Sequence, residues 1–453
     1  MPVSSDRLGL SFVPDDVLRV MEKIHDSGAD VWVVGGALRD FLLGIKPKDW
    51  DLATSANTGK IVSLFPRVIP VGIRHGTVQV HTRTRDIEVT SFEPSGEAGI
   101  LKDLGRRDFT MNSLALSYPG GLLIDPHGGR QDLKAGLIRA VENPRARFSE
   151  DPLRIVRAAR ICATYGFQVD PATCDAMREW SGKLENVSGE RIRDEVLKIL
   201  SGANLSEAFG LLRKSGALGR LFPGLDAAVH IETRPGSGLS MFKHILACIL
   251  NCPNRTRIRL AALFHKIAAP TAEAVIERQQ KDFKRESARS AMETMKIWHM
   301  PNRCIDEVST IIVHQLPPDA ASWSDARIRR FIAAVHPELL DDVISLAEAG
   351  VLTGESGEGG IEEIRRLRVR IERQLQRISA LNVRQLALSG DEIMNILGLQ
   401  PGPEVGKILH RLFDMVLEDP DLNTPERLGR ILKTIDPELK NPRKKSRKQP
   451  ERH

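Results

Sequence analysis

Aromatic residues are scarce in this chain. Two Tyr, five Trp and 14 Phe make up 5% of it, so stacking of nucleobases on aromatic rings is excluded as a dominant binding mode. No run of about 18 apolar residues occurs, which rules out a membrane-spanning helix. Cysteine is also sparse and odd in number, at five. That fits free thiols in a reducing cytoplasm and excludes a disulfide framework. Cys248 and Cys252 stand four apart, on one face of a helix. No His or Cys quartet completes a zinc site around them, so both read as core residues. The opening Met-Pro-Val-Ser-Ser-Asp has no basic stretch followed by an apolar core, and reads as no secretory signal.

The remainder is ordinary for a globular protein: 453 residues, 41% hydrophobic and 27% charged, enough for several cores. Net charge is +6 and the pI about 9.1, which suits a polyanionic partner. Much of the excess lies in residues 440–453, which contain no large apolar side chain and read as a disordered basic tail attracted to RNA phosphates. Over residues 1–140 short strand-like runs (31–34, 78–81, 86–92, 114–118) alternate with helical ones, including 15–27. From about 149 to 439 apolar residues recur at spacings of three and four, so the pattern is helical. Loop signals at 223–224, 234–238 and 354–360 divide this part.

The densest chemistry lies in residues 34–51, Val-Gly-Gly-Ala-Leu-Arg-Asp-Phe-Leu-Leu-Gly-Ile-Lys-Pro-Lys-Asp-Trp-Asp. Gly35 and Gly36 follow an apolar run and precede a helical stretch. Glycine lets backbone N–H groups approach a polyphosphate beside a helix N-terminus, which favours anions. Asp49 and Asp51 are two apart, on one face of a strand, where both can grip the same hard cations. A triphosphate cradle beside a cation site is the equipment of an enzyme that attacks a nucleoside triphosphate.

This segment resembles the first motif of the class II tRNA nucleotidyltransferase and bacterial poly(A) polymerase family, Gly-Gly-x-(Val/Leu)-Arg-Asp-x-Leu-Leu-Gly followed by Asp-x-Asp. Later segments follow the family's order. The resemblance covers residues 30–200 strongly and 240–435 weakly. It implies an α+β protein: a nucleotidyltransferase α/β head with a small mixed sheet (1–140, catalytic), then an all-helical neck (141–200, base recognition). A body (201–385) with a degenerate HD-like module, a tRNA-contacting tail (386–439) and the basic tail (440–453) complete it. It further implies transfer of nucleotides to the 3′ end of tRNA from CTP, with ATP as the second candidate, aided by two Mg²⁺ ions. The partners implied are the tRNA acceptor stem and elbow.

By motif match, Glu88 in Asp86-Ile-Glu-Val-Thr-Ser-Phe92 completes the catalytic and metal-holding set with Asp49 and Asp51. The family's arginine after the Phe is Glu93 here. The segment 72–78, Gly-Ile-Arg-His-Gly-Thr-Val, resembles tRNA-specific members. Residues 106–112, Arg-Arg-Asp-Phe-Thr-Met-Asn, match the motif that binds triphosphate and ribose. Gly35, Gly36, Arg39, Arg107, Asp108 and Asn112 are thereby assigned to the nucleotide, and paired arginines supply fork-shaped donors for phosphate. Residues 124–139 read as a hinge. Residues 149–160 carry the Glu-Asp-x-x-Arg match, with Asp151, Arg154 and Arg157 at intervals of three and Arg160 beyond. Pro152 suits a first helical position and Asp151 a cap.

In the family this motif selects the incoming base. Cytosine and adenine both show an amino donor beside a ring-nitrogen acceptor, whereas guanine and uracil show a carbonyl beside a ring N–H. An Asp acceptor with an Arg donor therefore admits C and A, and a mismatched base leaves buried polar groups unpaired. Residues 189–198 read as a charged helix bracing this one.

The chain departs from its relatives in two places. Residues 93–105 are short where CCA-adding members carry a long flexible loop, and loss of that loop marks enzymes that add two C residues and stop. The rivals are full CCA addition, A addition, poly(A) synthesis and, in another class, a catalytically silent RNA-binding protein. Second, His244 and His265 stand where HD-module ligands belong, but Lys266 replaces the Asp and Arg285 stands near another expected His. These histidines and His314 read as structural, and an HD phosphohydrolase is disfavoured.

Overall fold

The structure is a computed structural model, describing residues 4–72, 76–233, 238–268, 280–354 and 359–434. It forms two compact units, Met1–Ala227 and Ala228–His453. The basic tail and residues 73–75 of the tRNA-specific segment lie outside the described residues.

The first unit is built on an eight-stranded sheet in the order β1-β8-β7-β2-β3-β6-β5-β4. In chain order these are β1 (Ser4–Arg7), β2 (Val31–Val34), β3 (Trp50–Thr54), β4 (Val68–Gly72), β5 (Thr77–His81), β6 (Asp86–Ser91), β7 (Ala115–Ser117) and β8 (Leu122–Asp125). Only β3 and β6 pair in parallel, so the sheet is mixed. Central β2 is buried at every residue, which explains its uninterrupted apolar run. In β6, Ile87 and Val89 are buried while Asp86 and Glu88 are exposed, the alternation that a strand with one covered face requires.

Helices α1 (Asp15–Asp26), α2 (Gly36–Leu42), α3 (Thr58–Leu64) and α4 (Glu97–Gly105) pack around this sheet. The expected helix 15–27 and four strands are present within a residue or two. The strand expected around Asp51 is β3, whereas β1, β4 and β8 carry no signal in the sequence pattern. α4 occupies the short connection between β6 and the Arg-Arg-Asp motif. Its Ile100 and Leu104 are fully buried with Trp32, Phe92, Ala115 and Ile124, so this connection is a packed helix. A Cβ built at Gly99 would collide with the Pro94 carbonyl oxygen. Gly99→Ala should therefore destabilise the head by about 1–3 kcal/mol, readable as a lower urea midpoint.

After β8 come α5 (Gly129–Ala135), α6 (Pro144–Glu150), α7 (Arg154–Tyr165), α8 (Pro171–Trp180) and α9 (Gly189–Leu200). Asn143 caps α6 by accepting from Arg145 and Ala146, with Pro144 behind it. The cap expected at Asp151 is displaced: Asp151 accepts from the Leu153 N–H and closes a turn, and α7 starts only at Arg154. Pro223 opens a helix, Pro223–Ala227, rather than a loop, since proline is preorganised for a first helical position.

The second unit is mainly helical in its described residues, with one isolated bridge between Glu232 and Ser240. Met241–Asn251, Thr256–Phe264 and Pro337–Leu352 pack together. A separate apolar cluster centred on Ile393, Leu412, Leu428 and Leu432 holds the last three helices. No described helix is long and apolar enough to cross a membrane.

Candidate active site

β2 ends at Val34, and Gly35 turns the chain at φ +72°. Only glycine suits that backbone. It is also a place of close approach, since a Cβ there would lie 3.0 Å from Arg107 Nη1 and 3.4 Å from Asp51 Oδ2. The glycine, the phosphate-type cation and a carboxylate, widely spaced in sequence, thus meet at one point.

Asp51 is in register with Glu88 on the parallel neighbour, β6. Registered residues on adjacent strands share a face, so the two acids stand side by side. Asp49 precedes the first residue of β3, one position outside the strand assumed in the sequence reading. It is still close enough to act on Asp51. Burial, then Glu88 and also Asp49, push the Asp51 carboxyl up to about 6 against the pull of Arg107 and Arg39. Arg107 gives its ion pair to Asp103 instead, through Nε and Nη2 at 3.1 and 3.0 Å. None of the three acids joins an ion pair among the described residues. Clustered hard oxygen donors with no ion-pair contact among the described residues fit a divalent metal of the Mg²⁺ type.

Arg39 is held on several sides. Its Nη1 donates to Asn112 Oδ1 at 2.8 Å, its Nε and Nη2 donate to Asp40 Oδ1, and it lies 5.0 Å from the Tyr165 ring. The Tyr165 hydroxyl donates to the same Asp40 oxygen at 2.6 Å, and burial pushes that phenol up to about 12. Asn112 uses its other end too, donating to Asp108 Oδ1 at 2.9 Å. Burial pushes Asp108 up, but Arg157, Asn112, the Phe109 N–H and Arg154 outweigh it, and the carboxyl lies below the ordinary range.

From Asp108 the charges continue onto α7 and α9. Arg157 Nη1 lies 3.7 Å from Asp108 Oδ2 and its Nε 3.4 Å from Glu195, which also pairs with Arg160 at 3.0 Å. One alternating polar chain therefore joins the Gly-Gly helix α2 to α7 and α9. The bracing role expected of 189–198 is observed here, and again where Arg191 donates to Asp151 Oδ2 at 2.7 Å.

Arg154 donates through Nη1 to the Arg147 carbonyl at 2.9 Å and to Glu150 at 3.2 Å, and through Nη2 to the Arg106 carbonyl at 2.8 Å. Asp151 and Arg154 lie at the start of α7, each oriented by these neighbours. Sequence reasoning missed Asp40, Asp103, Tyr165 and Glu195 as partners. Asp103 and Arg107 carry a signal, four apart across the end of a helix. Asp40 stands in the first motif, but nothing in the sequence links it to Tyr165, 125 residues away.

At the C-terminal end of β6 opens a polar cavity of about 520 Å³, lined by Thr90, Ser91, Glu93, Lys102 and Arg106 among others.

In the second unit, His244 and His265 are buried and His314 is half-buried, its Nδ1 against the Thr310 carbonyl at 3.0 Å; Arg285 is exposed. Burial and Lys266 push His244 down to about 3.

Residues 31–139 match the Poly A polymerase head domain, and 166–229 match the "Probable RNA and SrmB- binding site of polymerase A". The CCA-adding enzyme of Geobacillus thermodenitrificans is 30% identical over 428 residues, spanning 91% of this chain and 94% of that one. The CC-adding tRNA nucleotidyltransferase of Halalkalibacterium halodurans is 37% identical over 216 residues, 47% of this chain and 56% of its own. The solved Bacillus stearothermophilus CCA-adding enzyme in complex with CTP superposes with a TM-score of 0.69 at 27% identity, covering 92% of this chain and 96% of that one.

Proposed function

We propose that this chain, which belongs to the family of CCA-adding and CC-adding tRNA nucleotidyltransferases, adds C residues from CTP to the 3′ end of tRNA and stops after two. The observation that carries the transfer reaction is the meeting of Asp51, Glu88, Gly35 and Arg107 at one end of β2 and β3.

Reactions of this family depend on a divalent metal, and Asp49, Asp51 and Glu88 would hold two Mg²⁺ ions here. When bound, the ions make the RNA 3′-hydroxyl a better nucleophile and neutralise the leaving pyrophosphate. Gly35 and Gly36 leave room for the phosphates, and Arg107 and Arg39 supply their counter-charge. Asp108 and Asn112 act chiefly by positioning: their polar atoms are engaged with Arg157 and Arg39. Asp151 and Arg154 read the pairing edge of the base, with Arg157 and Arg160 behind them. Lys102 and Arg106 line the polar cavity at the end of β6, which suits the sugar-phosphate end of the RNA. On this reading residues 1–140 catalyse and 141–200 recognise the base, while 386–439 contact the tRNA. A filter assay of labelled CTP incorporation into tRNA lacking CCA tests transfer, and a silent RNA-binding protein would give none.

Full CCA addition is the second reading. It is favoured by similarity to CCA-adding enzymes along 91% of the chain and by a base pocket that pairs with adenine as well as cytosine.

Arg154→Ala should loosen base choice more than it weakens triphosphate binding, because the phosphates are assigned to head residues. Competition among the four nucleotides checks it; if UTP and GTP stay as strongly excluded as before, Arg154 does not read the base. Deleting residues 440–453 should leave nucleotide choice intact and weaken tRNA affinity at low salt, an effect fading as ionic strength rises. Unchanged affinity at low salt would make the segment a solubility tail.

A further inference from the structure

Far from the catalytic acids in sequence, three buried side chains of the second unit bring nitrogen and sulfur donors together. His244 and Cys248 are four apart on Met241–Asn251, and His265 immediately follows Thr256–Phe264. One donor atom of each lies within 4.8 Å of the others, and all three residues are buried. We propose that His244, Cys248 and His265 bind one divalent cation of the zinc class.

The hydrogen bonds around the cluster prepare it for this. Thr353 donates its hydroxyl proton to the Gly350 carbonyl at 2.7 Å, so its oxygen accepts from His244 Nδ1, 2.9 Å away. His265 Nδ1 is 2.7 Å from the Ala262 carbonyl and must donate to it. Both imidazoles therefore carry their proton on Nδ1 and present the Nε2 lone pair, the arrangement in which an outer partner orients a metal-binding histidine. His244 Nε2 lies 3.4 Å from Cys248 Sγ and 3.4 Å from Lys266 Nζ. Bonds of about 2.0–2.3 Å to nitrogen and sulfur give tetrahedral edges of roughly 3.4–3.6 Å. Lys266 Nζ thus lies one such edge from His244 Nε2, and its charge also acts on Cys248 and His265. A bound cation displaces that ammonium into the adjoining cavity of about 280 Å³, which His244 and Lys266 both line. The same cavity supplies the entry path and room for a water as fourth ligand. A mixed imidazole and thiolate set selects zinc over magnesium or calcium.

The test is a Co²⁺ titration of the full chain in saturating Mg²⁺, which occupies the catalytic carboxylates, followed by absorbance. The expected result is one Co²⁺ per chain with a thiolate-to-cobalt charge-transfer band, bleached by Zn²⁺. Cys248→Ser should abolish the band and Cys252→Ser should keep it. Lys266→Met should tighten binding by removing the competing cation. Thr353→Val should weaken it about 10–100-fold without unfolding the protein. Absence of the band in folded wild type, or its survival in Cys248→Ser, would overturn the proposal. If circular dichroism shows Cys248→Ser unfolded, Thr353→Val and His265→Gln decide: unchanged affinity in both rejects the site.

Discussion

Asp51→Asn should abolish nucleotide transfer and, at the same time, make the metal-free protein more stable above pH 6. The loss follows from the place of Asp51 beside Glu88, Gly35 and Arg107. Removing an outer partner of a metal ligand costs about 10–100-fold. Removing a ligand itself should cost more, beyond roughly 10³-fold in CTP incorporation, while tRNA binding survives. Transfer within tenfold of wild type would remove the assignment. The stability gain follows from linkage. Burial and Glu88 raise the Asp51 carboxyl from 3.8 to about 6, so between these values the folded state binds more protons than the unfolded state. Stability contributed by this group is present at low pH and falls as pH rises through that window. The charged form is the costly one in the fold, and asparagine avoids it, by roughly 2–3 kcal/mol at neutral pH. Urea unfolding without metal at pH 7.5 and pH 4 checks the sign: the advantage of Asp51→Asn should vanish at the lower pH. Mg²⁺ should close the gap at neutral pH by stabilising the wild type alone. By the same linkage the Mg²⁺ concentration needed for half-maximal transfer should rise as pH falls below about 6.

The second large effect concerns the end point. Supplied with tRNA lacking CCA and with CTP and ATP together, the enzyme should yield molecules ending in two C residues, read by sequencing the products. A terminal A on most molecules would leave the transfer activity standing and reject the restriction. On the proposed assignment the base pocket does not impose it, since an Asp acceptor and an Arg donor would pair with adenine as readily as with cytosine. The restriction is assigned to the segment between Phe92 and Arg106. There the chain forms α4, with Ile100 and Leu104 in the head core and Asp103 holding Arg107. A packed helix cannot sample the conformations of a long flexible loop. This geometry also dictates how a gain of function is to be sought. Replacing the whole segment with a relative's loop would remove Asp103 and two core side chains, lowering CC addition as well. Insertion at the exposed Ser95, before α4, keeps them. It should restore A addition in a large fraction of products while leaving CC addition intact, and CC-only products from that insertion would place the block elsewhere.

The sequence by itself determined the fold class, the order of the head motifs and the helical remainder. These rest on local physics: strand and helix periodicities, glycine where the backbone must turn, and residue types whose chemistry is legible at short spacing. It also marked Asp49, Asp51, Glu88 and the arginines as one nucleotide site by resemblance. What it did not contain was their geometry. The register that sets Asp51 beside Glu88 comes from a parallel pairing of strands 37 residues apart. The polar chain from Arg39 through Asn112, Asp108 and Arg157 to Glu195 spans most of the first unit. Neither has a periodic signature, because each is made only when distant segments pack. The same holds for α4. Its short length was visible in the sequence, but its rigidity depends on two apolar residues finding a pocket under β2, β7 and β8. Likewise Cys248 has His244 one turn away on its own helix, but gained His265 only when a second helix folded against that one.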